Sequence, residues 1–175
     1  MNKKQLSRKV QKIKETYARM RAEFWPQVTD DMIWHLKPRE IKVGFSQIPR
    51  CITLISIIMD ALAKNIKVSP TYLALWCHAF DEGFVIITDQ EAMAFESGFT
   101  RGQRAVNTWK TRMRELERLR FIKAAPGRSG LYNYILILNP YTVVKHHREE
   151  GNITDEASYN ALLERAAEIG ADDDL

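Results

Sequence analysis

Cysteine is scarce in this chain of 175 residues: Cys51 and Cys77 are the only two, and both stand in apolar surroundings. That count argues against a disulfide framework and suits a reducing, cytoplasmic setting. Long apolar runs are missing as well. The longest candidate, "CITLISIIMDALA" at 51–63, carries Asp60 and falls short of the ~20 residues that span a bilayer, so no membrane partner is expected. The first residues, "MNKKQLSRKVQKIK", lack the apolar segment of a secretory signal. There is no internal repeat and no low-complexity linker.

Catalytic motifs are also lacking. The chain has no P-loop, no dinucleotide fingerprint and no paired-carboxylate arrangement. Cys77, His78 and Asp81 are residue types of a nucleophilic site. Adjacent helix positions do not face each other, however, and Cys77 and His78 read as core packing. His146 and His147, with Glu149 and Glu150, have no second ligand cluster at metal spacing and read as a solvated helix end or loop. No catalytic residue, metal or cofactor is therefore expected, and the enzyme reading is disfavoured.

What the chain does have is charge in blocks. Residues 1–25 hold eight Lys/Arg against two Asp/Glu, and residues 101–130 hold nine against two. Residues 149–175 reverse the balance, with one Arg against nine acids. The formal net charge of +4 hides this asymmetry, which bears on partners rather than on fold.

Apolar spacing and capping signals divide the chain into elements. Leu6, Val10, Ile13, Tyr17, Met20 and Phe24 recur every three or four residues, predicting a basic amphipathic helix up to Pro26. In the irregular segment that follows, Thr29 is placed to cap a short helix through "DDMIWHL", with Lys37-Pro38 as its stop. Residues 48–65 read as a buried helix with Pro49 in its first turn, although β-branched residues keep a strand open for 52–58. "SPTYLALWCHAFDEG" follows as a helix with Ser69 as N-cap and Gly83 as stop. "FVIIT" is a short strand. Thr88 and Glu91 form a capping box for a helix over 89–97, which Gly98 ends, and Thr100 with Gln103 repeats the arrangement for a helix over 101–119. Val106, Trp109, Met113, Leu116 and Leu119 or Arg120 are its buried stripe. Phe121–Ala124 and 131–138 read as two strands joined by Pro126-Gly127 and Ser129-Gly130, with Asn139-Pro140 as the end. Thr154 and Gly170 bracket a last helix. Trp25, Trp34, Trp76 and Trp109 are expected to pack.

The order over 69–138 is helix, short strand, helix, Gly turn, longer basic helix, strand, Gly-rich turn, strand. Carried by "SPTYLALWCHAF", "FVII", "DQEAMAFESGF", "RGQRAVNTWKTRMRELERLRFIKAAP", "GRSG" and "LYNYILIL", it resembles the winged helix-turn-helix family. The resemblance implies that the basic helix is a recognition helix and the hairpin a wing. The expected fold is mainly α with a small β-hairpin: a winged helix-turn-helix core with added N-terminal and C-terminal helices. Its segments are a basic helix (1–25), an irregular segment plus buried helix (26–68), the winged-helix domain (69–140) and an acidic C-terminal helix and tail (141–175).

A major groove admits one α-helix, whose exposed side chains meet base edges while flanking cations meet phosphates. With the apolar stripe buried, the base-contacting candidates are Gln103, Arg104, Asn107, Thr108 and Thr111. Arg101, Lys110, Arg112, Arg114 and Arg128 are the phosphate-contacting candidates. Double-stranded DNA is then the expected partner, and the expected role is transcriptional regulation or replication accessory work. A likeness to winged-helix plasmid proteins points to a mobile element. The competing reading is a protein-interaction adapter with the basic helix and acidic tail as docking elements. The N-terminal helix fits a basic arm tracking the DNA backbone beside the recognition module and, equally, an amphipathic dimerisation or packing helix that meets a second copy (a homodimer) or a protein partner.

Overall fold

The apolar run after Cys51 folds as a helix, α1 (Ile52–Leu62), in the computed structural model of the chain, and the strand alternative is overturned. The structure describes residues 11–12, 15–16, 19–20, 23–24, 26–27, 46–64, 66–79, 83–171 and 175. The chain divides into Met1–Gly44 and Phe45–Leu175. In the first unit the described positions between 11 and 24 are helical, and Met20 and Phe24 are exposed. Leu6, Val10, Ile13, Tyr17, Trp25, Thr29, Trp34 and Lys37-Pro38 lie outside the described residues.

The second unit holds six helices and a three-stranded antiparallel sheet among its described residues. α1 begins three residues after Pro49, whose carbonyl accepts the Ile52 N–H at 3.0 Å, so Pro49 precedes the helix rather than opening it. Ile55, Ile58 and Met59 enter the core. Asp60 is buried too, because it has work at the next helix, α2 (Ser69–His78). Its Oδ1 accepts the N–H groups of Val68 (2.8 Å) and Ser69 (3.0 Å), and its Oδ2 accepts the Ser69 hydroxyl (2.9 Å). Ser69 is therefore not the N-cap; the orphan N–H groups of α2 are satisfied from the preceding helix. α2 ends at His78, before the expected Gly83 stop, and Cys77 and His78 are exposed, not core residues. His78 Nε2 meets the Glu96 carboxylate at 2.5 Å.

Strand β1 (Phe84–Ile86) is followed by α3 (Gln90–Glu96) and α4 (Gln103–Arg118). Strands β2 (Ile122–Gly127) and β3 (Gly130–Ile137) form the hairpin. β3 is central, so the order is β1-β3-β2, with Val85 opposite Ile135 and Ile122 opposite Ile137. Pro126 lies within β2 rather than in the turn. It sits at a register shift between Ala125 and Gly127, where a residue without an N–H costs no ladder bond. The turn itself is Arg128-Ser129, between the paired Gly127 and Gly130. Val85, Ile122, Ile135 and Ile137 join Tyr72, Leu75, Trp109, Met113, Leu116 and Phe121 in one core.

Asn139-Pro140 ends β3 but also starts a helix that the sequence reading missed, α5 (Pro140–Glu149). Pro140 takes its first position, and the Asn139 side chain accepts the Tyr141 N–H. His147 is consequently buried, 5% exposed, and not at a solvated end. Its Nε2–H donates to the Leu119 carbonyl (3.0 Å), its Nδ1 accepts from the Asn152 carboxamide (3.2 Å), and its ring stacks on Phe121. The final helix, α6 (Glu156–Ile169), is capped by Asp155 rather than Thr154 and ends on left-handed Gly170. α1 packs against α2, α5 and α6, so 46–68 and 141–171 belong to the same unit as 69–140. Among the described residues no helix is long and apolar enough to cross a membrane.

Candidate nucleic-acid interface

The site is built from the start of α3 outward. Thr88 does not cap this helix. Asp89 does, accepting the N–H groups of Glu91 (2.9 Å) and Ala92 (3.0 Å). Glu91 is thereby free of the expected capping box, and its carboxylate instead accepts the N–H of Gly102 at 3.0 Å. α3 ends on Gly98, with φ of 89°. The Phe99 N–H returns to the Ala94 carbonyl and the Gly98 N–H to that of Phe95, a Schellman pair that satisfies the last turn. Gly102, with φ of 109°, opens α4 in a backbone conformation that L side chains rarely adopt. Thr100 makes no cap and Gly102 is the N-cap.

α4 has a sharp division of faces. Val106, Trp109, Met113 and Leu116 are buried, with Trp109 edge-on to Tyr132 of β3 at 5.8 Å between ring centroids. By helical spacing, Gln103, Asn107, Thr111 and Arg114 line the opposite face, and all four are exposed, as is Arg104 beside them. Thr108 is half-buried. Lys110 and Arg112 flank the buried stripe, both half-buried, and the Arg112 Nε is buried without a hydrogen-bond partner. Arg101 lies in the turn with its guanidinium 5.2 Å over the Phe95 ring, and exposed Arg128 forms half of the hairpin turn. Arg118 falls in line with Asn107 and Arg114, and it pairs with Glu115 at 2.8 Å.

The base-contacting candidates are partly engaged with one another. The Gln103 carboxamide donates to Asn107 Oδ1 at 3.0 Å. Gln103 keeps its carbonyl oxygen and Asn107 its amide donors, so the pair together presents an acceptor beside a donor. The hydroxyls of Thr108 and Thr111 donate to the carbonyls of Arg104 (3.0 Å) and Asn107 (3.2 Å), leaving lone pairs and methyl groups for a ligand.

The electrostatics separate this face from the rest of the unit. Arg118, Arg120, Arg148 and Arg165 are ion-paired, to Glu115, Glu150, Glu156 and Glu168. Arg101, Arg104, Arg112, Arg114 and Arg128 have no ion pair among the described residues. Burial, helped by the Glu117 carboxylate, pushes the Tyr132 phenol above its ordinary range, with Arg114 opposing. No group of three or more metal-ligating side chains occurs among the described residues.

Two residues that hold the hairpin turn, Gln90 and Asn133, carried no expectation from sequence, and Ser129 was expected only as a turn residue. Only Asn133 left a signal, an amide among apolar strand residues in "LYNYILIL". Compared with protein-family models, curated proteins and solved structures, the chain matches none.

Proposed function

We propose that this chain is a winged helix-turn-helix protein that binds duplex DNA, with α4 as recognition helix and the β2–β3 hairpin as wing, acting in transcription regulation or as a replication accessory protein of a mobile element. The element order supports the reading, since it sets the hairpin directly after α4, as does the pairing of β1 with β3 in the sheet order β1-β3-β2. The observation that carries it is the row of uncompensated cations. From Ser97 to Arg114 there is no Asp or Glu, while Arg101, Arg104, Lys110, Arg112 and Arg114 fall in that interval. Like charges this close destabilise a helix, and a polyanion removes the repulsion. Preference among sequences would come from Gln103, Arg104 and Asn107 on base edges, with Thr108 and Thr111 offering methyl contacts.

Fluorescence anisotropy of the full chain on random-sequence duplex, repeated across salt concentrations, tests this. Five phosphate contacts give a log–log slope of about −4 to −5. Absence of binding at low salt overturns the reading.

One observation favours the adapter as second reading. The outer face of the sheet exposes Phe84, Ile86, Tyr134 and Leu136, with Phe84 and Tyr134 stacked at 6.2 Å. Apolar surface of this kind marks association sites. No DNA binding, together with concentration-dependent self-association abolished by Ile86→Lys, would favour it.

A further inference from the structure

The hairpin turn is not a free tip. The Gln90 carboxamide, on the first residue of α3, donates to the Ser129 carbonyl at 2.6 Å. The Ser129 hydroxyl donates to the carbonyl of Ile87. That same carbonyl accepts from the Asn133 amide at 3.0 Å, and Asn133 Oδ1 accepts the Ser129 N–H at 3.3 Å. Asn133 is only 4% exposed, so its amide is spent on holding the turn rather than on solvent. The turn is moulded around it: a β-carbon on Gly127 would collide with the Asn133 carboxamide and the Tyr134 ring.

The next residue of α3 does the equivalent for α4, since the Glu91 carboxylate holds the Gly102 N–H. Two adjacent side chains in the first turn of α3 thus each grip one cation-bearing element, Gln90 the hairpin turn and Glu91 the start of α4. A two-stranded hairpin alone is marginal in water, and a loose arm would have to be ordered on binding.

We infer that the first turn of α3 is a bracket that fixes Arg128 relative to α4, with Gln90, Ser129 and Asn133 as positioning residues for DNA contact by the turn. This rests on the DNA-binding reading above. These three residues touch no ligand and act through Arg128. Loss of the bracket therefore weakens binding only as far as Arg128 contributes.

Two readouts on the full chain test it, one of them free of DNA. Trypsin cleavage after Arg128 requires the turn to open, so Gln90→Ala should be cut there about tenfold faster than the unaltered chain while its Tm is nearly unchanged. On random duplex, Gln90→Ala should weaken binding about three- to tenfold and lower the salt slope by about one, and Arg128→Ala should do the same. In an Arg128→Ala background the Gln90→Ala effect should vanish. Asn133→Ala should follow the same pattern, and Gln90→Ala keeps the test valid if that buried substitution fails to fold. Unchanged cleavage at Arg128, or additive losses in the double variant, overturns the bracket. If the unaltered chain binds no duplex at low salt, the DNA reading falls and the positioning role with it, whatever the cleavage shows.

Discussion

Arginines in two parts of the same unit live differently. In α5 and α6, Arg148 reaches Glu156 and lies 4.9 Å over the Tyr159 ring, and Arg165 reaches Glu168. In the turn, α4 and hairpin, five arginines reach no carboxylate among the described residues. The cause is in the sequence: 149–175 holds nine acids for its one arginine, whereas 97–114 holds no acid. The lesson concerns anchoring. Exposed ion pairs contribute little, so neither region is held by its arginines. The cationic face of α4 is held by the apolar stripe beneath it and by backbone bonds at its ends, which leaves its charges available to a ligand.

That difference can be broken most forcefully from below. Trp109 is fully buried, and Trp109→Ala should cost about 3–5 kcal/mol in urea denaturation, whereas Arg148→Ala should leave the midpoint nearly unchanged. Comparable losses for the two would show that the charged surface is structural after all. A gentler separation uses ligand affinity. Arg101→Ala and Arg114→Ala should each lower the salt slope of duplex binding by about one, while Arg148→Ala and Arg165→Ala leave it unchanged. Equal effects across the four would reduce the contrast to bulk net charge.

The smallest effect lies at the boundary between the two regions. Arg120 sits at φ of 64° just past the end of α4, where the Phe121 N–H returns to the Leu116 carbonyl and its own N–H to that of Glu117. Glycine suits that conformation and arginine is strained in it by about 1 kcal/mol. Arg120 also pairs with Glu150 at 2.5 Å, an exposed contact. Arg120→Gly should therefore stabilise slightly, by about 0.5 kcal/mol net, and raise Tm by a few degrees at most. A clear loss of stability would mean that the Glu150 pair matters more than the backbone.

Elements with strong apolar periodicity were legible in the sequence. The α4 stripe, the Gly98 break and the Gly170 stop are where spacing and glycine put them, because burial and positive φ each leave a residue-type signature. Caps were less legible. "TDQE" offers both Thr88 and Asp89, and the choice turns on local backbone geometry. The cap of α2 comes from Asp60, nine positions before Ser69, which no local rule reads. α5 was missed because Asn139-Pro140 serves as readily for a start as for a stop, and its buried His147 carries no hydrophobic mark. At the candidate site, exposure of Gln103, Arg104, Asn107 and Thr111 followed from helical spacing. The grip of Gln90 on Ser129 joins residues 39 apart and is a tertiary fact.

The Pro126 bulge has a consequence for how copies of this chain could meet. β2 is an edge strand, and its outward ladder is interrupted at a residue that cannot donate, with Lys123 beside it. The opposite edge, β1, pairs over only three residues. Neither edge offers a continuous template for strand addition, the usual route from a small sheet to amyloid-like stacking. Apolar side chains on the outer face of this sheet can thus be displayed with little risk of runaway polymerisation, because any contact there must close face to face.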